Sequence, residues 1–524
     1  MTATTTHTAL PDYVTSGIAK RLSDLVPSTG GQTAATVAPY TGEVLVDLPQ
    51  CTEADVLAAF ARARAAQAGW AARPVRERAK IMLRFHDLVL DRQDEVMDLI
   101  QAENGKARRD AFLEVADIAN TARYYARTAA GLLRDSRRTG LLPGLTATRE
   151  LRQPKGVVVV ISPWNYPLSL GAGDCIPALL AGNTVVQKPD NQTALTALWA
   201  LDLAREAGLP VGVWQMVLGR GSHIGQTLTD NADYLMFTGS TATGKQMARA
   251  AGERLIGCSM ELGGKNAMLV LDDADLERTV AGAVRACFSS SGQLCVSIER
   301  MYVQDGIYDQ FVPRFVDAVK AMVLGASFDY SADMGSLTSA EQVAAVTAHV
   351  ADATANGASV LAGGKARPDL GPFFYEPTVL SGVTEAAQCF GAETFGPLVS
   401  LYRFSDVDDA IARANDTTYG LNASVWTKSV RTGREVGARL HAGTVNVNEG
   451  YAAAWGSIDA PMGGVGESGV GRRHGSEGLL KYTEAKTLAR QRVANIGPVG
   501  PMSHPAYAKT MTAALAVLRR VGWR

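Results

Sequence analysis

The chain has 524 residues, 47% of them apolar and 20% charged, with 51 basic against 52 acidic side chains and a formal net charge of −1. That length outgrows a single hydrophobic core, so two packed domains of ordinary globular α/β composition are expected. The balanced charge lacks the field that nucleic acid or an anionic membrane surface calls for. Six scattered cysteines without a CxxC pair and seven dispersed histidines offer neither a disulfide framework nor a metal cage, and no signal peptide or bilayer-length apolar run is seen. A soluble cytoplasmic protein without metal is the expectation.

In chain order, residues 1–35 are rich in Thr, Ser and Gly with weak periodicity, which predicts a loosely ordered lead-in. From Thr52 to about Leu133 apolar positions recur at three and four residues, as in VLAAFARARAAQAGW and IMLRFHDLVL, predicting amphipathic helices. The segment LTATRELRQPKG (145–156) alternates polar and β-branched residues and suits an exposed hairpin strand pairing with KTLARQRV near the C-terminus. Short apolar runs follow: GVVVVI (156–161), NTVVQ (183–187), WQMVL (214–218) and YLMF (234–237), alternating with helical stretches. Such runs are the pattern of a parallel sheet covered on both faces, here a doubly wound nucleotide-binding domain. A second α/β series begins near Glu261, with AMLVL, RMYVQ, LVSLYRF and GTVNVN as strands. The tail 501–524 has apolar residues at helical spacing and ends in Arg519, Arg520 and Arg524, which predicts a helix docked on its own oligomer or lying on a membrane surface.

Four segments carry chemistry. PWNYP (163–167) follows the strand PKGVVVVIS, and Asn165 has an amide able to donate to a developing oxyanion, although alone it reads as a turn asparagine between prolines. NTVVQKP puts Lys188 at a strand end, and YLMFTGSTATG puts Gly239, Ser240 and Gly244 where a strand turns into a helix. Both suit a dinucleotide, yet GSTATG is not GxGxxG and serves equally as a helix cap. MELGGKN supplies Glu261. In FSSSGQLCVSIER, Cys295 lies three residues after Gly292, and a Gly-rich approach to a helix N-terminus would give it thiolate character. A lone cysteine is more often an inert buried thiol.

Their joint order changes that balance. PWNYP, KPDNQT, FTGSTATG, ELGGKN, GQLC, ETFGP, NDTTYGLNASVW and GGVGESGVGR resemble, in sequence order, the motifs of the aldehyde dehydrogenase superfamily over about residues 35–490. QPKGVV, GQLCVSIER, DMGSL and APMGG resemble an actinobacterial branch provisionally labelled NADP-dependent succinate-semialdehyde dehydrogenase. The resemblance implies an α/β fold with a Rossmann-type NAD(P)-binding domain (36–144 and 157–260), a catalytic domain (261–447), an oligomerisation hairpin (145–156 and 486–500), an active-site loop returning to the cofactor domain (448–485), a C-terminal extension, and a homodimer or homotetramer. It implies Cys295 as nucleophile, Asn165 as oxyanion donor and Glu261 as general base of thioester hydrolysis. Ser162, Pro163, Trp164, Lys188, Asn191, Gly239, Ser240, Gly244, Glu393 and Phe395 would hold the cofactor. A catalytically silent structural homologue is the alternative of a different class, opposed by the presence of all three catalytic residues.

Three departures from the family pattern matter. Neutral Asn191 stands where NAD-preferring relatives carry a glutamate, so NADP is expected to be preferred, with NAD accepted. Ser297 replaces a cysteine two residues after Cys295, which removes a local disulfide. The arginines that clamp the far carboxylate of succinate semialdehyde align with Gly173 and Ser289, so that substrate and neutral aliphatic or aromatic aldehydes both stay open. Arg473, where many relatives have a glutamate, is either a relocated cation for the substrate or a surface or interface residue. Tyr166, Tyr451 and Trp455 would supply an aromatic wall.

Overall fold

The computed structural model describes residues 9–141, 145–492 and 496–523. The helical stretch becomes the helices Glu53–Ala72, Val75–Asp91, Gln93–Asn104 and Arg108–Leu132. The first opens on a capping box in which Thr52 accepts from the Asp55 N–H and the Asp55 carboxylate accepts from the Thr52 N–H at 2.8 Å, satisfying donors that a helix start leaves orphaned. The third stops at Gly105, φ +84°, where a Cβ would lie 2.2 Å from Ser336 Oγ.

The apolar runs form a six-stranded sheet ordered Gly469–Val470, Gly257–Glu261, Tyr234–Thr238, Val157–Ile161, Thr184–Lys188, Trp214–Met216. Every neighbouring pair is parallel except the edge pair formed by Gly469–Val470. The chain winds outward from Val157–Ile161 and then returns to its other side at Tyr234–Thr238. The order therefore reverses between these two strands, and residues 162–165, Gly239 and Ser240 lie just beyond their carboxyl ends, where doubly wound sheets bind ligands. A seven-stranded sheet follows in the order Ser359–Ala362, Thr378–Ser381, Leu398–Phe404, Ile298–Gln304, Asn266–Val270, Asn422–Trp426, Thr444–Val447, parallel apart from its first pair. The hairpin strand forms as the alternation predicts: Thr146–Pro154 pairs antiparallel with Thr483–Gln491, Leu151 opposite Lys486, and the latter strand is exposed along most of its length.

Two expectations need correction. The described part of the lead-in is not loose: Val14, Ile18, Leu22 and Val26 are at most 6% exposed and join the core of the first sheet. The spacing of four in Val14, Ile18 and Leu22, which puts one helical face inward, is hidden among Thr, Ser and Gly, and Val26 follows just past the helix end; residues 1–8 lie outside the described residues. Glu261 does not open the second series but ends the strand Gly257–Glu261 of the first sheet, whose polar GCSME text lacks the β-branched signature. The tail is a helix, His504–Arg520, with no buried side chain in the single chain; Arg524 lies outside the described residues. Among the described residues no helix is long and apolar enough to cross a membrane.

Candidate active site

Asn165, Glu261 and Cys295 share one cavity of about 240 Å³ with Trp164, Glu393 and Phe395, while Pro163, Gly239 and Ser240 complete one side of it. The carboxyl ends of first-sheet strands deliver Asn165 and Glu261. Cys295 and Glu393 come from turns preceding the second-sheet strands Ile298–Gln304 and Leu398–Phe404.

The Asn165 loop is held by its carbonyls. Asn104 Nδ2 donates to the Trp164 carbonyl at 3.0 Å and Lys106 Nζ to that of Asn165 at 2.6 Å. Lys106 is fully buried, paired with Glu114 at 2.7 Å, and its ammonium sits 3.7 Å from the centre of the Tyr166 ring. The other Glu114 oxygen accepts from the N–H groups of Leu168 and Ser169, capping the helix Pro167–Leu180. So placed, Asn165 Nδ2 donates one hydrogen to the Gln293 carbonyl at 2.9 Å and keeps a second for an oxyanion.

The approach to Cys295 is a strained turn: Ser290, Ser291 and Gly292 have φ of +53°, +57° and +69°. A Cβ at Gly292 would lie 2.1 Å from the Gly396 carbonyl oxygen. The Ser290 N–H is held by Asp110 at 2.9 Å, and Asn266 Nδ2 donates to the carbonyls of Cys295 and Ser297 at 2.7 Å each. Cys295 thus follows a 3-10 turn, Ser289–Gly292, and precedes a strand. No helix starts there, which corrects the expectation of a helix-assisted thiolate. Burial instead pushes the Cys295 thiol up to about 12, opposed chiefly by Arg473, so the resting nucleophile is protonated.

Glu261 is buried, its Oε1 lacks a hydrogen-bond partner among the described residues, and burial pushes its carboxyl up to about 7 against the pull of Arg473 and Lys481. A buried carboxyl poised near neutrality beside the cysteine has the tuning of a general base.

On the cofactor side Glu393 accepts from the Gly264 N–H at 2.8 Å, and burial pushes its carboxyl up to about 8. Only a glycine at 263 leaves it room, since a Cβ there would lie 2.2 Å from Glu393 Oε2. Trp164 and Phe395 meet edge to face at 5.5 Å. Ser240 caps the helix Thr241–Glu253, and Gly244 packs so closely on Leu262 that a Cβ would come within 2.3 Å of it. Lys188 ends the adjacent strand with Nζ donating to the Pro189 carbonyl. Asn191 donates to Gln50 and accepts from the Gly219 N–H. Ser162 turns inward, its hydroxyl accepting from Gln187. Ser162, Lys188, Asn191 and Gly244 therefore sit outside the lining of the Cys295 cavity.

On the opposite side Tyr166, Leu170, Leu294, Val296, Tyr451 and Met462 form an apolar cluster against Cys295 and Trp455. Ser289 lies against the Tyr451 phenol. Arg473 is not at the surface of this chain: it is 6% exposed and donates from Nη2 to Asp174 at 2.8 Å and to Thr238 at 3.1 Å. Sequence reasoning missed Asp174, a lone acid in the apolar helix PLSLGAGDCIPALL, which signals a buried charge awaiting a partner. It also missed Lys106 and Glu114, which lie in no quoted motif, and Glu299, which lies in GQLCVSIER without a local sign of its role.

Comparison with known proteins places this geometry. The sequence profile of the aldehyde dehydrogenase family matches residues 25–488. A Mycobacterium ulcerans protein provisionally named succinate-semialdehyde dehydrogenase (NADP+) 2 is 58% identical over 466 residues, 89% of this chain and 90% of the relative. A Mycolicibacterium smegmatis protein with a provisional name of the same kind is 54% identical over 485 residues, 93% of this chain and 94% of the relative. The crystal structure of an Escherichia coli NADP-dependent enzyme superposes with a TM-score of 0.85 at 35% identity, covering 89% of this chain and 96% of its own. A match that runs unbroken through both sheets and the strands between them, at these identities, makes this chain a member of the aldehyde dehydrogenase family.

Proposed function

We propose that the chain oxidises an aldehyde to the free carboxylic acid through a thioester on Cys295, with NADP preferred and NAD accepted. The observation that carries this reading is the single cavity in which a cysteine, an amide donor and a buried carboxyl face one another. The Cys295 thiol gives up its proton to solvent water as its sulfur adds to the aldehyde carbon, and the free N–H of Asn165 with the backbone N–H of Cys295 receives the oxyanion. A nicotinamide cofactor, when bound, supplies the acceptor for the hydride that leaves the thiohemiacetal carbon. Glu261 then takes a proton from water as the water oxygen adds to the thioester, and the Cys295 thiolate leaves as the acid forms. A glutamate at 261 favours hydrolysis over transfer of the acyl group to coenzyme A.

The residues present fit the cofactor: Glu393, Phe395 and Trp164 at one end of the cavity, Gly239 and Ser240 beside the helix start, and Lys188 beyond them. Asn191 is neutral and its amide is engaged by Gln50 and Gly219, so no carboxylate stands there to repel a 2′-phosphate. Arg220, exposed at the start of the helix Gly221–Asn231 and next to Gly219, adds a cation. The names of the mycobacterial relatives support NADP and succinate semialdehyde. The apolar cluster around Cys295 supports a second reading, short neutral aldehydes such as butanal or benzaldehyde. The exposed strand Thr483–Gln491 supports a homodimer or homotetramer.

Initial rates with succinate semialdehyde, butanal and benzaldehyde, each with NADP and NAD, test the proposal. Reduced cofactor forming in step with acid supports it. No reduced cofactor formed with any of the three aldehydes would mark a silent homologue.

A further inference from the structure

Beside the Cys295 cavity lies a second recess, lined among others by Asp117, Ser169, Gly173, Trp455, Arg473 and His474. Four buried polar atoms of these residues have no hydrogen-bond partner among the described residues: Asp117 Oδ1, Ser169 Oγ, Arg473 Nε and His474 Nδ1. Buried polar groups are paired as a rule, because leaving one unpaired is costly. Four around one recess, from three separate segments of chain, mark a place that a polar guest completes. The recess has about 20 Å³ open to a water-sized body, room for one or two waters and hence for carboxylate oxygens displacing them. At Gly173 a Cβ would meet only Ile118, at 3.9 Å, so this side of the wall is open.

The recess adjoins the reacting centre. Arg473 Nη2 bridges Asp174, which lines the recess, and Thr238, which lines the Cys295 cavity. Ser169 precedes Leu170, which also lines that cavity, and Trp455 packs against the apolar cluster around Cys295.

Resting on the reading of the chain as an aldehyde dehydrogenase acting through Cys295, we propose that the recess binds the far carboxylate of a short ω-carboxy aldehyde, with Asp117 taking up a proton as it binds. The donors are Arg473 Nε–H, the Ser169 hydroxyl and His474 Nδ1 in the tautomer that carries its proton there. Two carboxylates in one recess cannot both stay ionised. Asp117 faces Glu114 from its own helix, Ser169 from the helix Pro167–Leu180, Trp455, and Arg473. Arg473 is already matched by Asp174, and burial together with Arg473 drives His474 down to about 3, keeping it neutral. Burial has pushed the Asp117 carboxyl up to about 7 before any guest arrives, and protonation turns it into a fourth donor. This donor set replaces the arginines absent at Gly173 and Ser289.

The test is KM for succinate semialdehyde relative to KM for butanal, with NADP saturating, from pH 6 to pH 8.5. Binding that requires Asp117 protonated raises this ratio roughly thirtyfold over that range, because the competent fraction falls as pH rises through about 7. Asp117→Asn, whose amide donates at every pH, makes the ratio flat, and Ser169→Ala, which removes only a hydroxyl, raises it several-fold. A pH-independent ratio in the unaltered enzyme overturns the recess assignment, as do wild-type pH dependence in Asp117→Asn and preference for 4-aminobutanal over both aldehydes. Oxidation of neither aldehyde would instead overturn the underlying reading of Cys295.

Discussion

Lys265 and Glu299 form an ion pair at 2.5 Å with only 2% and 4% of their side chains exposed. The Glu299 carboxylate also accepts from the N–H groups of Thr394 and Phe395. The lysine of ELGGKN and the glutamate four residues after Cys295 thus hold the turn that carries Glu393 and Phe395, the latter at φ +52°. Glu299→Ala leaves a buried ammonium unpaired and two N–H groups orphaned, a loss of about 3–5 kcal/mol. We expect a lower melting temperature and a KM for NADP raised about tenfold or more, as for loss of a positioning contact of about 1.4 kcal/mol. A destabilised variant with unchanged cofactor KM would reduce Glu299 to a purely structural role.

Glu261→Gln separates the two halves of the reaction. Acylation of Cys295 does not need the carboxylate as hydrolytic base, so one equivalent of reduced cofactor forms in a burst and turnover then slows by about 10²–10⁴, the usual size of a general-base contribution. In the unaltered enzyme Glu261 is active as the carboxylate, and burial has raised its carboxyl to about 7. Hydrolysis therefore weakens as pH falls below about 7 and levels above it. Quenched-flow burst amplitudes across pH check both statements; a slow burst-free Glu261→Gln would show the carboxylate acting before acylation is complete.

Much of the fold is legible in the sequence, for physical reasons. Continuous runs such as Val157–Ile161 are apolar because both their faces are covered, and the polar and β-branched text of Thr146–Pro154 goes with a strand that is half-buried along most of its length. Cys295 and Asn165 were found through the order of motifs, not through their own chemistry. Partners distant in sequence were not readable: Arg473 and Asp174 are 299 positions apart, and nothing local to either names the other. The core role of Val14, Ile18, Leu22 and Val26 was lost because small polar residues between them mimic a disordered composition.

Cofactor choice is tested at Asn191 and Arg220. Asn191→Glu puts a carboxylate beside Gln50 and Gly219, where it accepts from ribose hydroxyls and repels a 2′-phosphate. Loss of one charge-assisted contact, about 1.5–3 kcal/mol, lowers kcat/KM for NADP about tenfold to a hundredfold. Arg220→Ala should lower kcat/KM for NADP and leave that for NAD nearly unchanged. Equal losses with both cofactors would remove Arg220 from phosphate recognition.

The Lys106–Glu114 pair offers a way to tell positioning from stability. Lys106→Met leaves the Glu114 carboxylate fully buried without its cation, at a cost of about 3–5 kcal/mol, whereas removing both charges together often restores much of the loss. Lys106→Met combined with Glu114→Gln should therefore melt well above Lys106→Met alone. The amide introduced by Glu114→Gln still offers one oxygen to the Leu168 and Ser169 N–H groups, so the start of the helix Pro167–Leu180 stays capped. Nothing in the double variant replaces the Lys106 hydrogen bond to the Asn165 carbonyl, and the Asn165 amide loses the restraint that aims it at the cysteine segment. Since an oxyanion donor acts in the transition state, kcat should fall about tenfold or more while substrate KM changes little. Recovery of both stability and kcat in the double variant would show that Lys106 serves the fold alone.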